Sequence, residues 1–313
     1  MIQNFNDLFA ELKAKGICKK MVAAWAVDEH TIEAASLATD QGFVKCTLVG
    51  DEDIIKKVCA DNNIDVAKFE IVDIKDELKA VAEAVKMVHD GQGEVLMKGL
   101  CSTDKFLRAI LNKETGLLPP KGVLSHVGVI ENPNYHKLIF ISDMAVIPAP
   151  DFRQKVKLAN YLVSTAKSFG IAKPKIAFIA ASEQMLDSMP ACIEGAMLAK
   201  MCDRGQIKGC IGDGPLALDV AIDEESVQIK KLVSPVAGDA DCLLFPNIES
   251  ANVFWKTNSK LAVGVRQAGF LVGVKVPCIL ASRADSVDVK LNSIASAVIR
   301  NPWRSFYSYP SGS

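Results

Sequence analysis

Apolar runs of four to eight residues alternate along this chain with longer stretches whose apolar positions recur every three or four residues. The short runs "KMVAAWAV" (20–27), "KCTLVG" (45–50), "EIVDI" (70–74), "EVLMKG" (94–99), "VLSHVGVI" (123–130), "KLIFISD" (137–143), "KIAFIAA" (175–181), "CLLFP" (242–246) and "PCILAS" (277–282) predict strands. Segments such as Glu77–His89, "ELKAVAEAVKMVH", predict helices between them. Strand and helix in alternation imply an α/β fold with a largely parallel sheet covered on both faces. One segment departs from the rhythm. The two strands in 123–143 are joined through Asn132-Pro-Asn134, which predicts an antiparallel hairpin.

Helix-stopping residues divide the chain. "ETGLLPPKG" (114–122) marks a boundary near residue 120, and "QAGFLVGVKVP" marks a second near 271. The expected domains are residues 1–120 with 272–313, and residues 121–271. The final "RNPWRSFYSYPSGS" abandons the helical pattern and reads as partly foreign to the natural protein.

Composition narrows the function classes. The 313 residues are 50% hydrophobic and 23% charged, with formal net charge -1, enough apolar content for a large core and no basic footprint for nucleic acid. The opening "MIQNFNDLFAELKAKG" is an amphipathic helix carrying acids, not a signal peptide, and no apolar run is long enough to span a membrane. The nine cysteines are scattered without C-x-x-C spacing, so they read as buried free thiols in a reducing, cytoplasmic setting. The four histidines show no paired spacing, and no metal site or tightly bound cofactor is expected. There is no G-x-S-x-G elbow.

The positions that carry chemistry lie where an apolar run stops and a helical pattern starts. "PCILAS" ends in Ser282-Arg283, followed by Asp285 and Asp288, after which Val287, Leu291, Ile294 and Val298 share one helix face. A strand end meeting a helix start is where open α/β sheets bind ligands, and a helix N-terminus with an arginine suits an anion. The aspartates read equally well as helix caps, with Asp285 as N-cap. In "MKGLCSTDKFLRAIL" (97–111), Lys98, Ser102 and Thr103 form a comparable cradle. There Phe106, Leu107, Ile110 and Leu111 are the expected buried face, with Arg108 on its flank. An ordinary Ser/Thr cap with a solvated arginine fits the same residues. Gly212-Asp213-Gly214-Pro215 reads as a tight turn, and Asn247 and Glu249 open a helix after "CLLFP" as pocket residues or caps. His126 reads as a structural or cleft histidine.

Taken together, "MKGLCSTDKFLRAIL", "GVLSHVGV", "DRGQIKGCIGDGPLALDVAI", "DADCLLFPNIESANVFWK" and "SRADSVDVKLNSIASA" resemble the phosphate acetyltransferase/phosphate butyryltransferase family, over about residues 10–298 and in the same order. "GPLALD" and "SRADS…KLNSIA" lean toward its butyryltransferase branch. The resemblance implies a two-domain, three-layer α/β/α fold like that of the isocitrate and isopropylmalate dehydrogenases, with the site in the cleft between domains. It implies reversible transfer of a short acyl group from coenzyme A to inorganic phosphate, with the CoA thioester as substrate and no covalent acyl-enzyme. It implies that Ser282 and Arg283 stabilise the transition state and that Arg108 binds phosphate with Ser102, Thr103 and Lys98. His126, Asp213, Gly214, Pro215, Asn247 and Glu249 are the implied CoA and acyl pocket. A homodimer or higher homo-oligomer and an acyl-phosphate kinase as metabolic neighbour are also implied.

Two departures from the acetyltransferase pattern stand out. The position seven residues after the motif serine is Val289 rather than aspartate, so Asp285 and Asp288 both remain candidates for acid–base work. No arginine occurs in residues 62–97, where that branch has one. An acetyl-specific enzyme, a catalytically silent CoA-binding module and a nicotinamide-dependent dehydrogenase are the competing readings. The intact Ser-Arg pair opposes silence, and missing dinucleotide glycines oppose the dehydrogenase.

Overall fold

The computed structural model describes residues 1–280 and 285–300. The chain opens with α1 (Phe5–Ala14), β1 (Lys19–Ala24), α2 (Glu29–Asp40), β2 (Val44–Gly50), α3 (Glu52–Asp61), β3 (Glu70–Asp73), α4 (Glu77–His89), β4 (Val95–Lys98) and α5 (Thr103–Ile110). It continues with β5 (Ser125–Glu131), β6 (Ile139–Ser142), α6 (Phe152–Ser168), β7 (Lys175–Ile179), α7 (Pro190–Asp203), β8 (Ile211–Leu216), α8 (Leu218–Ile222), α9 (Glu224–Lys230) and β9 (Cys242–Leu244). The remaining described elements are α10 (Ile248–Leu261), β10 (Arg266–Val272), β11 (Cys278–Ile279) and α11 (Val287–Ile299).

Local chemistry sets the helix starts. Asn4, Asp28, Asp51, Asp76, Ser102, Asp151, Asn247 and Ser286 each accept a hydrogen bond from a backbone N–H of the first turn, satisfying donors that the helix itself cannot. Asp151 forms a full capping box with Gln154.

All eleven strands form one sheet in the order β3-β2-β1-β4-β11-β10-β5-β6-β9-β7-β8. Its two wings are parallel. The centre is antiparallel, where β10 pairs with β11 and β5, and β5 pairs with β6 in the expected hairpin. Two strands differ from expectation. Gly212–Pro215 is no turn but the body of β8, where Gly214 lies against Phe178 and Gly195 packs against Pro215, approaches that larger side chains would prevent. Residues 266–272, including the expected boundary near 271, form the central strand β10.

Helices cover both faces, giving three layers. On one face a single apolar core runs the width of the sheet, from Phe5, Leu8 and Leu12 of α1 through Ile32, Ile55, Leu158, Leu162 and Leu198 to Ile294 and Val298 of α11. On the other face the core is in two parts. One, under α4 and α5, contains Val81, Val85, Leu96, Phe106 and Leu271. The other, under α8 and α10, contains Ile141, Met144, Val220, Leu243 and Ala251. The α5 face is narrower than expected, since Phe106 and Ile110 are buried but Leu107 only half so, and Leu111 is exposed.

Phe5 is fully buried in the continuous core, and its N–H donates to Glu131 at the end of β5 (2.7 Å). Phe5→Ala is expected to lower stability by about 3–5 kcal/mol in urea unfolding, because α1 cannot collapse onto the cavity without leaving the sheet.

Candidate active site

The ends of β1, β4 and β11 lie side by side, since Ala23 pairs with Met97 and Met97 with Ile279. Each is followed by a helix start. The helices after β1 and β11, α2 and α11, join the continuous core, whereas α5, after β4, packs on the opposite face. Neighbouring strands whose helices leave to opposite faces open a crevice at their carboxyl ends.

The crevice is tightly built. Gly99 N donates to Ala24 O (2.9 Å) and Leu100 N to Trp25 O (3.0 Å). A Cβ on Gly99 would stand 2.3 Å from the Trp25 carbonyl oxygen. Trp25 itself takes a left-handed φ of 52°, uncommon for a bulky residue, to turn the chain there. Lys98 is buried, and its ammonium donates to the carbonyls of Gly99 (3.1 Å) and Cys101 (2.9 Å), so a cation sits within the β4–α5 turn. Ser102 is the α5 cap, accepting from Lys105 N, and Thr103 is exposed in the first turn. Lys105 is tied to Glu77 of α4 (2.6 Å). Arg108 stands exposed on α5 and pairs with Asp104 (3.0 Å), a contact worth little in water and free to exchange for a ligand anion.

From the third strand end, the cap of α11 is Ser286 rather than the expected Asp285. Ser286 lies at the N-terminal boundary and its hydroxyl reaches Val289 N, while the Asp285 carbonyl accepts from the Lys290 ammonium (3.2 Å). Asp288 is exposed in the first turn. Burial pulls Lys290 below its ordinary pKa against the opposing pull of Asp28 and Asp285. Ser282 and Arg283 lie outside the described residues. The chain leads to them from β11 at Ile279, which is paired with Met97, the residue before Lys98.

The gap between the two smaller cores is floored by β5 and β10. His126 is opposite Leu271, and Gly128 is opposite Gly269. The imidazole leans diagonally so that a Cβ on Gly269 would stand 2.7 Å from its Cε1 and 3.0 Å from its Nε2. A Cβ on Gly128 would strike Met144 at 2.3 Å and Trp255 of α10 at 2.7 Å. Both glycines are therefore spacers beneath larger side chains. His126 Nδ1 lies against Met144 Sδ (2.6 Å), and buried Nε2 has no hydrogen-bond partner among the described residues. Burial pushes the ring down to about 4, so the imidazole is neutral at neutral pH.

Some participants carried no sequence signal beyond the strand ends. Asp143, just after β6, is buried and accepts from the N–H groups of Ala145, Val146 and Ile147 and from the Ser125 hydroxyl. Ser142 donates to the His126 carbonyl (3.1 Å), tying this network to the floor. Asp28, the α2 cap, has one buried carboxylate oxygen without a partner among the described residues. Asn247 is a cap, accepting from Ser250 N, with Glu249 exposed beside it. Asp213, Gly214 and Pro215 lie on β8 at the far edge of the sheet, separated from β5 by β6, β9 and β7. The structure thus brings Lys98, Ser102, Thr103 and Asp285 to one crevice, sets His126 on the adjoining floor, and leaves the β8 residues apart. Among the described residues no group of three or more His, Cys, Asp or Glu could hold a metal ion.

Residues 77–298 match the model of the phosphate acetyl/butaryl transferase family. This chain belongs to that family. A phosphate butyryltransferase from Clostridium beijerinckii is 45% identical over 299 residues, covering 96% of this chain and 98% of its own. A phosphate acetyltransferase from Rhizobium meliloti is 36% identical over 295 residues, covering 94% and 92% respectively. Among solved structures, a branched-chain phosphotransacylase from Enterococcus faecalis superposes with a TM-score of 0.79 at 28% identity, covering 90% of this chain and 98% of that one. The three-layer α/β/α expectation agrees with these relatives.

Two outcomes follow from the geometry. Gly99→Ala is expected to destabilise the chain by roughly 1–3 kcal/mol, read in a thermal melt, because its methyl group collides with backbone rather than with a yielding side chain. His126 binds its proton less readily folded than unfolded, so its contribution to stability is full above about pH 6.5 and is lost as pH falls toward 4. His126→Gln should therefore flatten the pH dependence of unfolding free energy between these values by about 2–3 kcal/mol. Parallel slopes for the two proteins would contradict the buried neutral imidazole.

Proposed function

We propose that this chain catalyses acyl-CoA + phosphate ⇌ acyl phosphate + CoA, with butyryl or a similar short acyl group, in the crevice at the ends of β1, β4 and β11. Family membership makes it a phosphate acyltransferase. The observation that carries the assignment is the buried Lys98 ammonium in the β4–α5 turn, beside the capped start of α5 and next to the strand that leads to Ser282-Arg283. An inorganic phosphate needs fixed positive charge and N–H donors, and this turn supplies both.

In the proposed mechanism, phosphate is held by Lys98, Ser102, Thr103 and Arg108. One phosphate oxygen attacks the thioester carbonyl carbon, forming a tetrahedral oxyanion. Arg283 and Ser282 stabilise that charge where it develops. Collapse breaks the C–S bond, and the thiolate leaves and takes a proton from Asp285 or Asp288 acting as acid. In reverse the same carboxylate removes the thiol proton. Asp285 is half-buried just before α11 and Asp288 exposed in its first turn. Neutral His126 would meet the acyl end from the floor, offering an apolar ring without charge. Asp213, Gly214, Pro215, Asn247 and Glu249 have weaker support for the pocket, because packing and capping already explain them.

A division into residues 1–120 plus those after 271, and 121–271, is supported by the strand order, since β1–β4 and β11 are contiguous, as are β5–β10. The crevice would then lie on the first part, with its strand β11 bordering β10 of the second. Cytoplasmic location fits nine unbonded cysteines. A homo-oligomer fits the exposed Ile193 and Met197, one turn apart on α7. An acyl-phosphate kinase would consume the product.

Purified protein given phosphate and acetyl-, propionyl-, butyryl- or isobutyryl-CoA is expected to release thiol only when phosphate is present, fastest with about four carbons. Arg283→Ala should reduce turnover roughly 100- to 1,000-fold while the protein remains folded. Phosphate-independent release would instead indicate a thioesterase, and fastest turnover of acetyl-CoA would assign the acetyl reaction.

A further inference from the structure

Far from the crevice, Cys202 in the last turn of α7 and Cys210 just before β8 place their sulfurs 3.7 Å apart. Of the seven residues between them, Asp203 closes α7 and Arg204–Gly209 form a loop, exposed except at Ile207, with left-handed glycines at 205 and 209. Cys202 is half-buried against Gly212, whose missing side chain leaves room for its sulfur. Lys167 of α6 reaches under the loop, its ammonium 2.0 Å from where a Cβ of Gly209 would be. Cys210 lies at the rim of the continuous core with Cys202 packed against it under an exposed loop, whereas Cys46, Cys59, Cys101, Cys242 and Cys278 are buried more deeply in the cores.

We propose that Cys202 and Cys210 are a hydroperoxide-reactive dithiol, with Cys210 the attacking sulfur and Cys202 the resolving one. The two thiols are within hydrogen-bond reach of each other, and this contact with the positive charge of Lys167 and Lys173 holds the Cys210 thiol below its ordinary pKa and that of Cys202 above it. The Cys210 thiolate attacks one peroxide oxygen, so an S–O bond forms and the O–O bond breaks. The leaving oxygen takes up the proton that Cys210 has shed. Cys202 sulfur then attacks the sulfenic sulfur. The S–S bond forms, the S–O bond breaks, and the departing hydroxide takes the Cys202 proton. Two thiols and hydrogen peroxide thus give one disulfide and two waters. Closing 3.7 Å to a disulfide bond of about 2.05 Å requires only movement of the loop and the last turn of α7.

The test uses the whole reduced protein, one equivalent of hydrogen peroxide, alkylation of remaining thiols and peptide mapping without reductant. A 202–210 cross-link, reversed by dithiothreitol, should form at least ~10-fold faster than exposed Cys18 is oxidised. Cys202→Ser should leave a sulfenic acid at 210 that dimedone traps, and Cys210→Ser should leave Cys202 unreacted. Oxidation of Cys18 at a comparable rate would overturn the proposal, because the pair would then gain nothing from its surroundings. A dimedone adduct at 202 in the Cys210→Ser protein would overturn the assignment of roles. The wild-type rate comparison stands even where a variant fails to fold.

Discussion

The antiparallel pairing of β5 with β10, from Arg266–Glu131 to Val272–Ser125, is the constraint on which the rest of the architecture depends. Backbone hydrogen bonds across this pair join two parallel wings into one sheet. Side chains on its two faces then do opposite things. Ala268, Phe270 and Val272 point into the continuous core and lock the wings together. On the other face Gly128 and Gly269 offer no side chain, and the core parts around His126. A rigid spine on one side and a divided face on the other is a construction that can hold a cleft without losing cooperativity.

Charge is distributed to match. The described cations near the crevice, Lys98 and Lys290, are buried and hydrogen-bonded to backbone carbonyls, so their positions are fixed before any anion arrives. That is the arrangement electrostatic catalysis needs, since donors already in place pay no reorganisation during the reaction. The exposed Arg108–Asp104 pair is the opposite case, a weak contact that a phosphate can displace.

Much of this was legible locally. Each strand ending in Gly, Ser or Asn before a helical pattern was found, because a cap and an apolar period are short-range signals. Lys98, Ser102 and Asp285 were placed at the correct strand ends for that reason. β8 and β10 were misread for a common cause. Gly212-Asp213-Gly214-Pro215 and "QAGFLVG" have turn composition, yet their glycines answer to neighbours distant in sequence, Phe178, Cys202 and His126. Asp143 and Asp28 were missed because a buried carboxylate is distinguished by the N–H groups around it, which a residue name does not reveal.

The sequence by itself determined most of the strands and helices, the resemblance to the family and the strand ends at which chemistry is placed, since these rest on periodicity, capping and contiguous motifs. Only the tertiary structure decided that β10 and β5 form the central spine, that the core divides on one face alone, that His126 is buried and neutral, and that Cys202 and Cys210 meet. Those properties arise from pairings between segments far apart in the chain, and burial, which sets the protonation of a histidine or a thiol, exists only once the sheet has closed over them.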